Sequence, residues 1–161
     1  METQSAIDRV RAVQAELGRA LAVGDLEHAM SLMTDDVTFQ ASAGPPIVGR
    51  DAARQVFVTL RNFDVTISQA DCNIDVVGDT ALVVGRQTAT LTLGRFGRKV
   101  TFSGPVIGVY RIDAGSWKLA RALNLMSVIR SGGGTPVFKL ESELLRLARV
   151  ERRRPVVPDV H

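Results

Sequence analysis

Apolar residues recur at Ile7, Val10, Val13, Leu17 and Leu21, spacings of three and four that lay one stripe along a helix over residues 5–22. Gly24 ends that helix. Asp25 is placed to cap a short second helix running to Met33, with Leu26, Ala29, Met30 and Met33 on its inner side. Alternation over residues 37–41 predicts a short strand, which Ala43-Gly44-Pro45-Pro46 breaks. Helical spacing returns over residues 50–60, where Ala53, Val56, Phe57 and Leu60 share one side and Asp51 suits the positive end of the helix dipole.

From Phe63 onward the period is two. Residues 64–77, 80–93, 98–112 and 117–129 read as four long strands, separated by Gly78-Asp79, Gly94-Arg95-Phe96-Gly97 and Asp113-Ala114-Gly115-Ser116. Connections this short leave no room for a crossover, so the strands pair in order and antiparallel. In the first of them Val65 and Ile67 are odd, whereas Ala70, Cys72, Ile74 and Val76 are even. One extra residue near Ser68 or Gln69 repairs the pattern and predicts a β-bulge that curves the sheet.

The strands are apolar on both sides. Ala81, Val83, Ala89 and Leu91 share one side of the second long strand, and Leu82 and Val84 share the other with Arg86, Thr88, Thr90 and Thr92. In the fourth, Trp117, Leu119, Leu123, Leu125 and Ile129 fall on one side with Arg121 and Ser127. One layer of helices covers one face, so the other is expected to meet a second copy or the chain's own end. After the Ser131-Gly132-Gly133-Gly134 joint, Val137, Leu140, Leu144, Leu147 and Ala148 predict a short amphipathic helix, followed by a basic Arg152-Arg153-Arg154. The division expected is a domain over residues 1–130 and a tail over 131–161.

Composition removes whole classes of function. A length of 161 residues with 45% hydrophobic content supports one core, and a lone Cys72 excludes an internal disulfide. No run of 18 apolar residues occurs and the amino end mixes charges throughout, so no membrane association is expected and the protein is read as cytoplasmic. The net charge of +3 sits entirely in the tail: residues 1–129 carry 13 basic and 13 acidic side chains, residues 130–161 carry 7 and 4. With 5% aromatic residues as well, no nucleic-acid partner is indicated.

Two histidines and one cysteine make no metal site, and no phosphate-cradling glycine pattern is complete, so neither a metal nor a cofactor is implied. Cys72, mid-strand among apolar neighbours, reads as a small hydrophobe. What remains are polar residues planted in strands. Arg86 and Arg121 require pairing or water, either in a pocket or in a network at a dimer face. Asp71, beside the expected bulge, is placed where a strand re-aims a side chain.

Three stretches resemble a known family. Gly24-Asp25-Leu26-Glu27-His28-Ala29-Met30-Ser31-Leu32-Met33-Thr34-Asp35-Asp36-Val37-Thr38-Phe39, Ile47-Val48-Gly49-Arg50-Asp51-Ala52 and Gly115-Ser116-Trp117-Lys118-Leu119-Ala120-Arg121 are similar to segments of the nuclear transport factor 2-like superfamily, in its polyketide-cyclase-like and ketosteroid-isomerase-like branch. The resemblance spans residues 5–129. It implies an α+β fold, a cone-shaped curved antiparallel sheet packed against three N-terminal helices, here with an extra C-terminal helix, and it implies dimers. The general base of ketosteroid isomerases falls on Ala41 and their oxyanion-donating tyrosine on Leu17. Alanine cannot take a proton and leucine cannot stabilise an enolate, which argues against steroid isomerisation of the familiar kind. Epoxide hydrolases of the superfamily use an Asp-Arg-Asp set, but two positions after Arg86 stands Thr88, not an acid.

The resulting expectation is a homodimer, joined through the sheet face, that binds a small hydrophobic or polyketide-like molecule. Its enzymatic form is a cofactor-independent cyclase, isomerase or dehydratase of secondary metabolism; the alternative is a non-catalytic binding or association module. Asp71 and Arg86 are the catalytic candidates. Gln40, Asn73, Thr88, Ser103, Tyr110, Trp117, Arg121 and Asn124 are the ligand-binding candidates.

Overall fold

The computed structural model describes residues 2–41, 44–61, 64–93, 97–125 and 127–131. The expected tail helix lies outside them. Helix α1 (Glu2–Val23) carries the predicted stripe and ends at Gly24, whose φ of +75° lets the Asp25 amide reach back to the Ala20 carbonyl at 2.9 Å. Asp25 caps α2 (Leu26–Ser31) as expected, its carboxylate accepting from the His28 amide at 3.0 Å. The second helix is shorter than the sequence pattern indicates, because Met33 already opens β1 (Met33–Ala41).

A two-residue β2 (Ile47–Val48) leads into α3 (Arg50–Leu60), which packs on β1 through an edge-to-face contact of Phe39 and Phe57 at 5.7 Å. Four long strands follow the expected boundaries closely: β3 (Asp64–Val77), β4 (Thr80–Leu93), β5 (Arg98–Asp113) and β6 (Ser116–Asn124). The fourth stops early. Leu125 donates to the Pro105 carbonyl, and the chain re-enters the sheet as β7 (Ser127–Ser131) against the other half of β5.

Strands β3 to β6 pair in sequence and antiparallel, and β1 closes onto β6 in parallel, giving the order β2-β1-β6-β5-β4-β3. Bulges bend this sheet. The one expected near Ser68 or Gln69 lies two residues later, between Ala70 and Asn73, where Asp71 takes a φ of +54°. A second falls at Ala120: Val109 pairs with Arg121 and Tyr110 with Leu119. It corrects the expected parity of the fourth strand, since Trp117 and Leu119 face inward whereas Arg121 and Leu123 face outward.

The helices cover one face of the sheet, called inner here. Val10, Leu17 and Ala20 of α1, Ala29 and Met30 of α2, and Ala53 of α3 meet Met33, Val37, Ile74, Ala81, Val83, Tyr110, Trp117 and Leu119 in one core. Leu17, the position of the isomerase tyrosine, is spent on that packing.

Candidate functional site

The register sorts the expected site residues by face, since directly paired residues share a side. Arg86 pairs with Pro105, Thr88 with Ser103, Asn73 with Val84 and Arg121 with Val109, all on the outer face. Gln40 lies there too, donating to the carbonyls of Ala41 and Gly44. Thr88 and Ser103 bond to each other at 3.1 Å. Tyr110, Trp117 and Asn124 point the other way. The two groups cannot line one cavity. Asp71 sits in the bulge, exposed, and neither it nor Arg86 has a hydrogen-bond or ion-pair partner among the described residues.

The inner face holds a polar set of its own. Gln14 of α1 donates to Gln69 of β3 at 2.6 Å and lies 3.6 Å from the Cys72 sulfur. Gln69 in turn donates to Gln87, its cross-strand partner on β4, at 3.3 Å. The bulge makes this possible, because it switches the inward parity from Gln69 to Cys72. Opposite Cys72 stands Gly85: a Cβ there would lie 2.8 Å from the sulfur and 3.2 Å from the Ala70 carbonyl oxygen. The thiol occupies the space that a side chain on β4 would need.

Tyr110 of β5 closes the set. It is 4% exposed, packs over Gly108, and its hydroxyl makes no hydrogen bond to any described residue. Burial, assisted by the neighbouring Cys72, pushes the phenol well above its ordinary range, so it stays a proton donor at any physiological pH. Cys72 is the described titratable group that acts on it, and Gln14, Gln69 and Gln87 extend the polar set along the inner face. These side chains donate and accept hydrogen bonds, and none of them is a carboxylate or imidazole able to abstract a proton. Ala41, where the resemblance places the isomerase base, is exposed at the end of β1.

Sequence reasoning passed over Gln14 and Gln69 and read Cys72 as a small hydrophobe. Gln14 follows Val13 and stands three residues before Leu17, inside the apolar stripe, and that misplaced amide is the signal that points to it. Gln69 and Gln87 share the inward parity of Ile67 and Ala89, the same kind of signal on a strand.

A hollow of about 320 Å³ lies elsewhere, between α2 and α3, lined by Glu27, Met30, Ser31, Arg50, Asp51 and Arg54. Its cations are matched internally: Arg50 pairs with Asp35 and also donates to the Met30 carbonyl, and Arg54 pairs with Glu27. Among the described residues no group of three or more potential metal ligands occurs, and no helix is long and apolar enough to cross a membrane.

A three-helix layer on a bulged sheet whose first strand runs parallel to its last long one is the architecture of the nuclear transport factor 2-like proteins. Solved structures agree. The chain superposes on a conserved protein from Planctomyces limnophilus with a TM-score of 0.68 at 24% identity, covering 78% of this chain and 99% of that one. A candidate dehydratase of the nuclear transport factor 2-like family from Streptomyces avermitilis gives 0.68 at 19%, covering 79% and 99%. A ketosteroid isomerase-like protein from Erwinia carotovora atroseptica gives 0.60 at 21%, covering 76% and 95%. At these identities the likeness carries the fold and not an activity. The family model of the SnoaL-like domain matches residues 13–120, and the chain belongs to that family. A search of curated proteins returned no match.

Proposed function

We propose that the protein binds a small, largely apolar molecule bearing a hydrogen-bond acceptor, a polyketide-like carbonyl compound being the fitting class, on the inner face of the sheet. One observation carries this reading: the Tyr110 phenol is almost fully buried beside Cys72 and has no hydrogen-bond partner among the described residues. The hydroxyl is held at the edge of an otherwise buried ring and has no partner to give up, so a ligand oxygen can accept from it. Gln14, 3.6 Å from the Cys72 sulfur, supplies a further donor and acceptor. The SnoaL-like assignment, and neighbours described as a candidate dehydratase and as ketosteroid isomerase-like, agree with a small-molecule role. The reading favours binding over turnover, because no carboxylate or imidazole is hydrogen-bonded to the phenol among the described residues.

Titration of the full chain with emodin, a planar hydroxylated anthraquinone, tests it. Saturable binding is expected, weakened about 2- to 10-fold in Tyr110→Phe, the loss of one neutral hydrogen bond. No saturable binding, or equal affinity in the variant, overturns the proposal. Turnover that disappears in Asp71→Asn while emodin affinity persists would restore a catalytic reading.

The same tyrosine is the only one in the chain, so its phenolate absorbance reports on it alone. Its folded pKa is raised. The stabilisation is therefore complete below the free-phenol value near 10 and is lost as pH rises above it. Phenolate should appear together with unfolding, and Tyr110→Phe should lack this alkaline loss of stability.

A further inference from the structure

Cys72 carries the only thiol of the chain, and on the inner face this thiol and the Tyr110 phenol lean over the same stretch of backbone. On β5 the outer edge of the Tyr110 ring lies over Gly108, where a Cβ would sit 3.1 Å from Cε2. The ring therefore points from Tyr110 past Gly108 toward Val106. Val106 pairs with Gly85 of β4, and over Gly85 leans the Cys72 sulfur, 2.8 Å from where a Cβ would be. The sulfur over β4 and the phenol over β5 are thus about one strand spacing, 4.8 Å, apart in the direction across the sheet. Burial raises the Tyr110 pKa and the charge of Cys72 adds to the rise, so the two groups act on each other across that gap.

Cys72, Gly85 and Gly108 are all partly exposed, whereas Tyr110 is 4% exposed and its hydroxyl has no partner among the described residues. A molecule that reaches the thiol therefore meets a free donor one strand away. Gln14 donates to the sulfur at 3.6 Å and fixes where it points. A nucleophile and a hydroxyl donor so spaced suit an α,β-unsaturated carbonyl compound, whose electrophilic carbon and carbonyl oxygen lie at opposite ends of one short conjugated unit.

We propose that Cys72 is a covalent capture site for enones, which seat their carbonyl oxygen on the Tyr110 phenol and accept the thiol at the β-carbon. The inference rests on the reading that a carbonyl ligand binds at Tyr110, and it gives that ligand a reaction class. The thiol first yields its proton to water. Sulfur then bonds to the β-carbon, the carbon–carbon π pair shifts toward the carbonyl, and the oxygen becomes an enolate held by the hydrogen bond from the phenol. A proton from water returns to the α-carbon and the carbonyl re-forms. The net change is addition of S–H across the double bond, with nothing oxidised, reduced or expelled.

Benzylideneacetone, an aryl enone, tests this on the full chain. Intact-mass spectrometry should show one adduct carrying the whole mass of the enone, peptide mapping should place it on Cys72, and Cys72→Ser should remain unmodified. Free thiols add to enones unaided, so the deciding quantity is the rate with the enone divided by the rate with iodoacetamide, an electrophile that forms no enolate. Folded wild type should exceed glutathione in this ratio by about 10- to 100-fold, the effect of one hydrogen bond to a charged oxygen, and Tyr110→Phe should fall back toward the glutathione value. The comparison with glutathione needs no variant, so it holds even where Tyr110→Phe folds poorly. A wild-type ratio equal to that of glutathione, an adduct on another residue, or an unchanged ratio in Tyr110→Phe overturns the inference. Emodin has no open enone carbon and separates the two failures: if it still binds, the ligand reading survives, and if it does not, both fall.

Discussion

The two faces of β4 obey different rules within one strand. Ala81 and Val83 are buried against the helices, and Gly85 gives up its side chain to the Cys72 sulfur. Leu82 and Val84, between them in sequence, remain open, and farther along Thr88 and Thr90 bond across to Ser103 and Thr101. Inward positions are fixed by volume, where each atom has a neighbour that must give way. Outward positions are fixed by what the surface meets. The contrast locates the expected costs of mutation.

Trp117 should mark the inner extreme. It is 6% exposed within the core, so Trp117→Ala is expected to lower unfolding free energy by about 3–5 kcal/mol in a urea titration. A loss under 1 kcal/mol would mean the residue packs far less than its burial implies. Next comes Gly85→Ala, expected to cost about 1–3 kcal/mol through overpacking against Cys72. Adding Cys72→Ala should recover part of that loss, while Ala70 keeps the rest, because its carbonyl oxygen stays close. Equal stability of the single and double variants would break the assignment of the clash to the thiol. The smallest effect belongs to the outer face: Thr90→Val keeps the β-branched shape, forfeits the 3.2 Å bond to Thr101, and should change stability by no more than about 0.5 kcal/mol.

Much of the architecture was legible in periodicity. The bounds of α3, β3 and β4 follow directly from spacing and turn residues, and the bulge in β3 from its slip in parity. Its position was not, because the slip tells only that a residue is extra; the left-handed backbone at Asp71 decides which. The bulge at Ala120 left no such trace, since apolar residues occur on both sides of it. For the site, alternation separates Arg86 and Thr88 from Gln87 but does not say which set faces the helices. That is a property of the whole sheet. The parallel union of β1 with β6 has no local signature at all.

That union has a consequence for how the chain reaches its fold. Thr38 of β1 finds its partner, Arg121 of β6, only across α3 and three intervening long strands. The hairpins from β3 to β6 close short loops and can form early, whereas β1 must wait until the final long strand exists, at the entropic cost of the largest loop in the sheet. A chain emerging from its amino end therefore holds β1 without its parallel neighbour until nearly the whole domain has been made. The carboxyl-terminal strands act as the clasp: synthesis halted before Ser116 leaves β1, in the first quarter or so of the chain, without the strand it pairs with in parallel.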